Sequence, residues 1–320
     1  MTTGLIDEAA WTPALSARQP DGARALKIAS ERTLRNVFST QTKRTVPTGV
    51  QSRRWDKSIR PRGPRPPTIT TSQILYNESR VRAVVPAIEA HALAKRYGRV
   101  DALRGINLSV NRGEFFGLFG PNGAGKTTML RILTGQLRPT SGSARVLDVD
   151  VVQEPLRVKR LVGIVPEVES PPSYLTGFEY LYFVGRVRQV DGIDRRINRW
   201  FDFFDLEDSR NALCKDLSKG TRQKLMLAAA FFHDPALAFL DEPFINLDPI
   251  YQRRLKGFLE EYVSGGGTVF MASHLLDIAE KLCDRVAVIQ NGALIALGSV
   301  DEVRGREADL ESAFLRLVGA

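Results

Sequence analysis

The chain has 320 residues, with 45 Lys and Arg against 36 Asp and Glu, which gives a formal charge of +9. Residues 1–86 hold 15 basic and 6 acidic side chains, whereas residues 87–320 hold 30 of each. The high net charge therefore does not indicate a nucleic-acid-binding fold, because the part of the chain that can build a compact core is neutral.

Composition excludes further classes of protein. The longest stretches without a charge, residues 262–276 and 286–300, have 15 residues each and include glycine and polar residues, so neither can cross a bilayer as a helix. Two cysteines are too few for a disulfide scaffold and favour a reducing compartment. The two cysteines and three histidines are also not spaced like the ligands of a structural zinc site.

The basic segment, residues 1–86, is the first predicted unit. It contains 8 of the 17 prolines, and we expect a disordered extension in which only residues 23–38 carry a helical pattern. Its arginine content is also typical of a transit peptide, although Asp7 and Glu8 weigh against that interpretation. A third interpretation is a mis-assigned start, with the natural protein beginning near Val84. The mass of the native polypeptide distinguishes this last interpretation from the others.

Short apolar strands and helical stretches alternate after the basic segment. Residues 88–93 and 106–110 alternate like half-buried strands, and residues 113–119 are typical of a buried strand. A helix is predicted at residues 126–133, closed by Gly135. Further buried strands are predicted at residues 161–165, 237–240, 268–272 and 286–289.

The remaining local patterns define the layer architecture. Asn291-Gly292 between two apolar runs predicts a hairpin turn. Residues 170–216 carry helical patterns and no strand, which indicates a helical insertion at about residues 168–218. Strands that alternate with helices imply an α/β fold, which we place at residues 87–305, followed by a C-terminal helix in residues 306–320.

The firmest chemical signal is a glycine-rich loop between a buried strand and a helix. Residues 120–127 read Gly-Pro-Asn-Gly-Ala-Gly-Lys-Thr and fit the pattern G-x-x-x-x-G-K-[ST]. Backbone N–H groups of such a loop wrap phosphates, and the helix start adds partial positive charge. Lys126 can neutralise phosphate oxygens and Thr127 can bind Mg²⁺. The loop predicts nucleotide binding.

A second signal is the apolar run 237–240, which ends in Asp241 and Glu242. A carboxylate at a strand end can hold Mg²⁺, and the next carboxylate can polarise an attacking water. Taken alone, a strand that ends in two carboxylates is as often without a catalytic function as with one. The phosphate loop earlier in the chain favours the functional interpretation.

The third signal lies between the other two. Residues 217–224 read Leu-Ser-Lys-Gly-Thr-Arg-Gln-Lys, and Ser218 can cap the helix that follows. A capped helix start with a glycine such as Gly220 can hold an anion. Alone this pattern is an ordinary helix cap, and its place between the phosphate loop and Asp241 gives it functional meaning.

In this order, the motifs resemble those of the nucleotide-binding subunit of an ATP-binding cassette (ABC) transporter. Residues 246–249 match the D-loop of that family, His274 matches its switch histidine, and Tyr97 lies where the family stacks an aromatic ring on adenine. The resemblance covers about residues 87–304. It implies a P-loop NTPase core with an antiparallel β subdomain and an inserted helical subdomain.

The resemblance also implies roles for the catalytic and metal-binding residues. Glu242 would be the general base, with His274 positioning it and the γ-phosphate. Glu167 would stand in the position of the catalytic Q-loop glutamine. Mg²⁺ would be held by Thr127, Asp241 and Glu167.

Nucleotide binding would involve two subunits. In this family Ser218 and Gly220 complete the ATP site of the opposite subunit, so that two domains enclose two ATP molecules. A monomer is therefore expected to hydrolyse ATP poorly. The other residues expected to bind ATP are Tyr97, Gly120, Pro121, Asn122, Gly123, Ala124, Gly125, Lys126, Thr127, Thr128 and Asp248.

Three departures from the family pattern affect the expected rate of hydrolysis. Glu167 replaces the glutamine amide with a carboxylate that can only accept hydrogen bonds. The signature has Lys219 and Thr221 in place of glycine and glutamine, and residues 244–246 read Phe-Ile-Asn where smaller residues are usual. This signature resembles that of bacterial exporter-type (ABC-2-like) subunits.

Two functions follow from the resemblance. The favoured one is an ATP-hydrolysing subunit at the cytoplasmic face of the cell membrane, which drives export through a separate transmembrane permease subunit and needs no nucleic acid. The alternative is a soluble ABC ATPase that acts on ribosomes or nucleic acid through the basic segment. The single cassette and the absence of long coiled coils weigh against the alternative. A salt-dependent RNA or DNA affinity that is lost without residues 1–84 would support it.

Overall fold

The computed structural model describes residues 85–168 and 171–319, so the predictions for residues 1–84, including the helix at 23–38, lie outside the described part. The strands are β1 Ile88–Tyr97, β2 Val100–Val110, β3 Phe115–Phe119, β4 Ser141–Val146, β5 Val149–Asp150, β6 Val162–Val165, β7 Leu237–Asp241, β8 Thr268–Ser273, β9 Arg285–Gln290 and β10 Ala293–Ser299. The helices are α1 Lys126–Leu133, α2 Pro155–Leu161, α3 Gly177–Val187, α4 Ile193–Phe204, α5 Lys219–Phe231, α6 Pro249–Ser264, α7 Leu276–Leu282, α8 Val300–Arg304 and α9 Leu310–Val318. Within the described ranges, no helix is long and apolar enough to span a membrane.

The first sheet is antiparallel, with the strand order β2–β1–β4–β5. In β2, the buried residues Ile106, Leu108 and Val110 alternate with exposed neighbours, as expected for a strand with one covered face. Ile88 of β1 lies opposite Val110 on one side and Val146 of β4 on the other. The expected antiparallel subdomain is therefore present. Strands β4 and β5 carry too few apolar residues to be predicted from the pattern.

The second sheet has the strand order β10–β9–β3–β8–β7–β6, and all its strands except β10 run parallel to their neighbours. Every residue of β3, β7 and β8 is buried, which explains their continuous apolar runs. The predicted strands are confirmed with small shifts at their starts. Strand β3 begins at Phe115 because Gly113, with φ 71°, lies in a turn, and β6 begins at Val162 because Leu161 still belongs to α2.

The predicted hairpin is confirmed between β9 and β10. Asn291 and Gly292 have φ values of 48° and 77°. Two consecutive left-handed residues define the tight turn that matches the twist of antiparallel strands. The N–H of Gly292 also donates to the carbonyl of Ala124, at 3.0 Å, so the hairpin supports the glycine-rich loop.

The interval between β6 and β7 is helical, as predicted. Helix α3 starts with a capping box, in which Thr176 accepts from the N–H of Glu179 and the Glu179 carboxylate accepts from the N–H of Thr176. Among the described residues of this interval, the only β-pairing before β7 is an isolated bridge between Thr176 and Leu213. Helix α5 packs against β6 and connects the insertion to the parallel sheet.

Two hydrophobic cores lie on opposite faces of the parallel sheet, because successive side chains of a strand point to opposite faces. Phe116, Phe239 and Phe270 face the core that includes α1 and the antiparallel sheet. The other core includes α5, α6 and the helical insertion. The rings of Phe116 and Phe239 lie 5.4 and 5.6 Å from the ring of Phe270, which makes Phe270 the centre of an aromatic row across β3, β8 and β7.

Replacing Phe270 by alanine should lower the free energy of unfolding by about 3–5 kcal/mol, because a cavity would open inside this row. Phe183→Ala on α3 is the matched control, since that ring is 49% exposed, and it should change stability far less. Urea unfolding followed by circular dichroism measures both variants. Equal losses would contradict the assignment of Phe270 to the core.

Candidate nucleotide-binding site

The parallel pairing of β3, β8 and β7 brings three chain segments to one sheet edge. Phe119, the last residue of β3, lies opposite Ser273, the last residue of β8. Asp241, the last residue of β7, lies opposite Ala272. The glycine-rich loop, Glu242 and His274 therefore follow their strands at the same edge, where ligands of parallel sheets bind.

The loop between β3 and α1 leaves backbone N–H groups free for an anion. Gly123 and Gly125 have φ values of 77° and 116°, which residues other than glycine rarely adopt. A Cβ on Gly125 would lie 2.5 Å from the carbonyl oxygen of Ala102. No side chain caps the start of α1, so its first N–H groups and positive dipole end face the loop.

Lys126 lies under this loop and is buried. Its ammonium donates to the carbonyl oxygens of Gly120, at 2.6 Å, and Pro121, at 3.2 Å. These contacts hold a positive charge at the inner wall of the site, where phosphate oxygens can replace or share the carbonyl partners. The structure places the lysine at the loop, and its role in phosphate binding stays a prediction.

A cavity of about 270 Å³ collects most of the predicted residues. Its walls come from the loop, the start of α1 and the ends of β6 and β7. Ala102 of β2 also lines the cavity and was not predicted, because its sequence context is an ordinary strand. The lining residues are Ala102, Asn122, Gly123, Ala124, Gly125, Lys126, Thr127, Thr128, Glu167, Asp241 and Glu242.

Hard oxygen donors suited to Mg²⁺ converge in this cavity. The hydroxyl of Thr127 lies 3.4 Å from a carboxylate oxygen of Glu167. Burial raises the pKa of Asp241 to about 6, and the nearby Glu167 and Glu242 carboxylates add to this rise. A buried carboxylate next to other acids favours a nearby cation, so these residues fit Mg²⁺.

The fit to Mg²⁺ depends on a nucleotide. In the described part of the chain, no group of three or more His, Cys, Asp or Glu side chains is placed to hold a metal by itself. Mg²⁺ commonly uses one or two carboxylates together with substrate phosphates and water. The phosphates of a bound nucleotide would thus supply the missing ligands.

Glu242 follows β7 in a strained, buried position. Its φ of 51° lies in the left-handed region, and its N–H donates to the carbonyl of Ala272 at 2.9 Å. One carboxylate oxygen lies 2.8 Å from Nδ1 of His274, and the other accepts from the hydroxyl of Ser273 at 2.8 Å. The predicted pairing of His274 with Glu242 is present, and the contact with Ser273 was not predicted.

A second cavity, of about 450 Å³, opens beside the first and shares Asn122, Glu167 and Glu242 with it. His274 lies on its wall, and 55% of the His274 side chain is exposed. Four apolar residues that were not predicted, Phe119, Ile245, Leu276 and Phe314, line it as well. The full lining is Phe119, Gly120, Pro121, Asn122, Glu167, Glu242, Ile245, His274, Leu276 and Phe314.

Four predicted residues do not line either cavity. Ser218 caps α5 by accepting from the N–H of Thr221 at 3.1 Å, and Gly220 packs against the backbone of Asn246. Asp248 caps α6 by accepting from the N–H groups of the two residues after Pro249. Tyr97 is half-exposed at the end of β1, with the ammonium of Lys95 5.2 Å from its ring centre. Their roles in nucleotide binding stay predictions.

Comparison with known proteins identifies the family. A family model described as ABC transporter matches residues 103–245. The daunorubicin/doxorubicin resistance ATP-binding protein DrrA of Streptomyces peucetius is 39% identical over 233 residues, which cover 72% of this chain and 70% of that protein. The chain belongs to the ABC transporter family. This ABC protein is also 35% identical over 240 residues to the probable multidrug ABC transporter ATP-binding protein YbhF of Escherichia coli K12. The match covers 72% of this chain and 41% of YbhF.

A solved structure of the ATP-binding subunit of an ABC transporter has the same fold. Its TM-score with this ABC protein is 0.69 at 29% identity, over 72% of this chain and 99% of the other. The predicted fold class is thereby confirmed. As a member of this family, the protein is an ABC ATPase that binds and hydrolyses ATP.

Asp241→Asn should stabilise the nucleotide-free and metal-free protein at high pH. Because the folded-state pKa of Asp241 is raised to about 6, protonation favours the folded state, and this contribution is lost as the pH rises through about 6. The free energy of unfolding of the variant should exceed that of the wild type by about 1–3 kcal/mol at pH 8 and by less at pH 5. Urea unfolding at both pH values measures this, with the exposed Asp202→Asn as control. A gain of equal size at both pH values would contradict the raised pKa.

Proposed function

We propose that this ABC ATPase is the energy-supplying subunit of an exporter, working with a separate transmembrane permease subunit at the cytoplasmic face of the membrane. The observation that carries the proposal is one sheet edge at which Lys126, Asp241, Glu242 and His274 come together. Export is supported by the names of similar proteins, which describe drug resistance and multidrug transport. A role on ribosomes or nucleic acid has no such support.

Residues 120–128 would bind the phosphates of ATP through backbone N–H groups and the Lys126 ammonium. Thr127 and Asp241 would hold Mg²⁺, with Glu167 next to them. The bound ion would neutralise charge on the phosphates during transfer. The carboxylate of Glu167 brings one more negative charge to this place than the glutamine usual in the family.

Glu242 would act as the general base. Its carboxylate takes a proton from the attacking water while the water oxygen bonds to the γ-phosphorus. The bond between that phosphorus and the oxygen that bridges it to the β-phosphate breaks, and ADP leaves with the electron pair. His274, 2.8 Å from the Glu242 carboxylate, would hold the carboxylate oriented toward the water.

A second nucleotide-binding subunit would complete the site. Ser218 and Gly220 lie outside both cavities of their own chain, as expected for residues that serve the nucleotide of a partner. Tyr97 would stack on the adenine ring from its half-exposed position. Two chains would then enclose two ATP molecules, and the separated chains would turn over slowly.

The helical insertion is the proposed contact with the permease. Its surface exposes large apolar side chains, with Tyr174 79% exposed and Val187 60% exposed. In the assembled transporter the permease would cover these side chains. ATP-driven closure of the two subunits would move this surface and so transmit work to the permease.

Glu242→Gln should keep ATP binding but lower kcat by at least about 100-fold, because the amide cannot accept the proton. Lys126→Ala should instead weaken ATP binding by about 10–100-fold through loss of charge-assisted hydrogen bonds. Glu260→Gln, on the exposed face of α6, is the control and should behave as wild type. Binding of labelled ATP and phosphate release measure these effects. Unchanged turnover in Glu242→Gln would overturn the assignment of the base.

The transport proposal is tested in the native membrane. The tagged full-length chain, purified after mild detergent extraction, should carry a polytopic membrane protein in a fixed ratio. Tyr174→Glu should weaken this association, whereas Ile295→Glu, at a similarly apolar position on β10 outside the insertion, should not. Recovery of the chain without any polytopic protein, together with unchanged export after its deletion, would contradict the proposal.

A further inference from the structure

Ser273 is the last residue of β8 and is only 1% exposed. It directly precedes His274, yet its hydroxyl contacts the other side of the same carboxylate. Nothing in the sequence motifs distinguishes this serine from a residue that merely ends a strand. Its hydroxyl, however, makes two hydrogen bonds, one with Leu275 and one with Glu242.

The hydrogen-bond pattern determines which way the hydroxyl proton points. The backbone N–H of Leu275 can only donate, and it donates to the Ser273 oxygen at 3.1 Å. The hydroxyl proton therefore remains for its second partner, the Oε2 of Glu242, at 2.8 Å. The serine thus donates to one oxygen of the carboxylate while His274 meets the other, Oε1.

Strand pairing makes this donor rigid. Ser273 belongs to the central strand β8, which pairs with β3 on one side and with β7 on the other. Asp241, the last residue of β7, lies opposite Ala272. Glu242, which follows it, is held to β8 by the hydrogen bond from its N–H to the carbonyl of Ala272 and by the one from Ser273. His274 is in the loop beyond the strand end and is 55% exposed, so it is the less constrained of the two partners.

Glu242 needs such a partner. Its φ is 51°, and this left-handed conformation costs about 1–3 kcal/mol for a residue other than glycine. Such a conformation persists only where neighbouring groups hold it. A buried carboxylate also needs hydrogen bonds on its oxygens to offset lost hydration. Ser273 supplies the buried one of these bonds, at Oε2. The other oxygen, Oε1, contacts His274, which lines the second cavity together with Glu242.

We propose that Ser273 is a positioning residue for ATP hydrolysis, which holds Glu242 oriented so that Oε1 meets the attacking water. This inference rests on the proposed role of Glu242 as general base. The effect of Ser273 passes through Glu242 and not through nucleotide binding, because Ser273 does not line the cavity that holds the phosphate loop.

Substitutions of Ser273 separate a positioning role from a structural one. Ser273→Ala should lower kcat about 10-fold with the KM for ATP changed less than about twofold, since the loss lies in a step after binding. Ser273→Thr, which keeps a hydroxyl, should retain most of kcat. Ser273→Val has the shape of the threonine variant without the hydroxyl and should match the alanine variant. This threonine and valine pair keeps the comparison valid if the alanine variant does not fold.

The control removes another buried hydroxyl from the same strand. Thr268 begins β8, is 1% exposed, and its hydroxyl accepts from the N–H of Gly113. Thr268→Val should leave kcat unchanged, although it can lower the unfolding temperature. A loss of kcat in Thr268→Val as large as in Ser273→Val would show a general effect of buried hydroxyls and overturn the proposal.

A double-mutant cycle with Glu242 gives the decisive result. If Ser273 acts through Glu242, adding Ser273→Ala to Glu242→Gln should lower the residual single-turnover rate less than about twofold, because coupled residues are not additive. A further 10-fold loss would overturn the proposal. If Glu242→Gln stops turnover while Ser273→Ala and Ser273→Val keep full kcat, only the inference on Ser273 fails. If Glu242→Gln itself turns over normally, the proposed base fails first.

Discussion

The parallel pairing of β3, β8 and β7 is the constraint on which the rest of the site depends. It places the glycine-rich loop, Asp241, Glu242, Ser273 and His274 at one edge of the sheet, although these residues lie far apart in the chain. The aromatic row centred on Phe270 stabilises the same three strands from one face. Core packing and the geometry of the site are therefore two consequences of one register.

The electrostatics of this site suits a ligand that carries both signs of charge. Three carboxylates and one buried ammonium meet around a small cavity, and burial together with the neighbouring carboxylates raises the pKa of Asp241. Mg²⁺ and phosphate oxygens together would balance both signs of charge. This arrangement fits the ATP binding of the family, and the roles of the predicted residues that lie outside both cavities, such as Ser218, stay predictions.

The sequence allowed the central strands and α1 to be predicted nearly to the residue, because fully buried strands retain continuous apolar runs and the phosphate loop has a strict pattern. Strands β4 and β5 escaped prediction because they bury few apolar side chains. The contact between Ser273 and Glu242 could not be predicted, since it depends on pairing between strands about 30 residues apart. Tyr97 and Asp248 line neither cavity, so their roles in nucleotide binding stay predictions.

The central claim is that one ATP molecule, with its metal, occupies the edge where β3, β7 and β8 end. A crystal structure of the protein with a non-hydrolysable ATP analogue and Mn²⁺ tests it most directly, because anomalous scattering locates the metal. We expect the triphosphate in the loop of residues 120–128, Mn²⁺ next to Thr127 and Asp241, and the γ-phosphate facing Glu242 and His274. A triphosphate bound elsewhere, or a metal away from Asp241, would contradict this account.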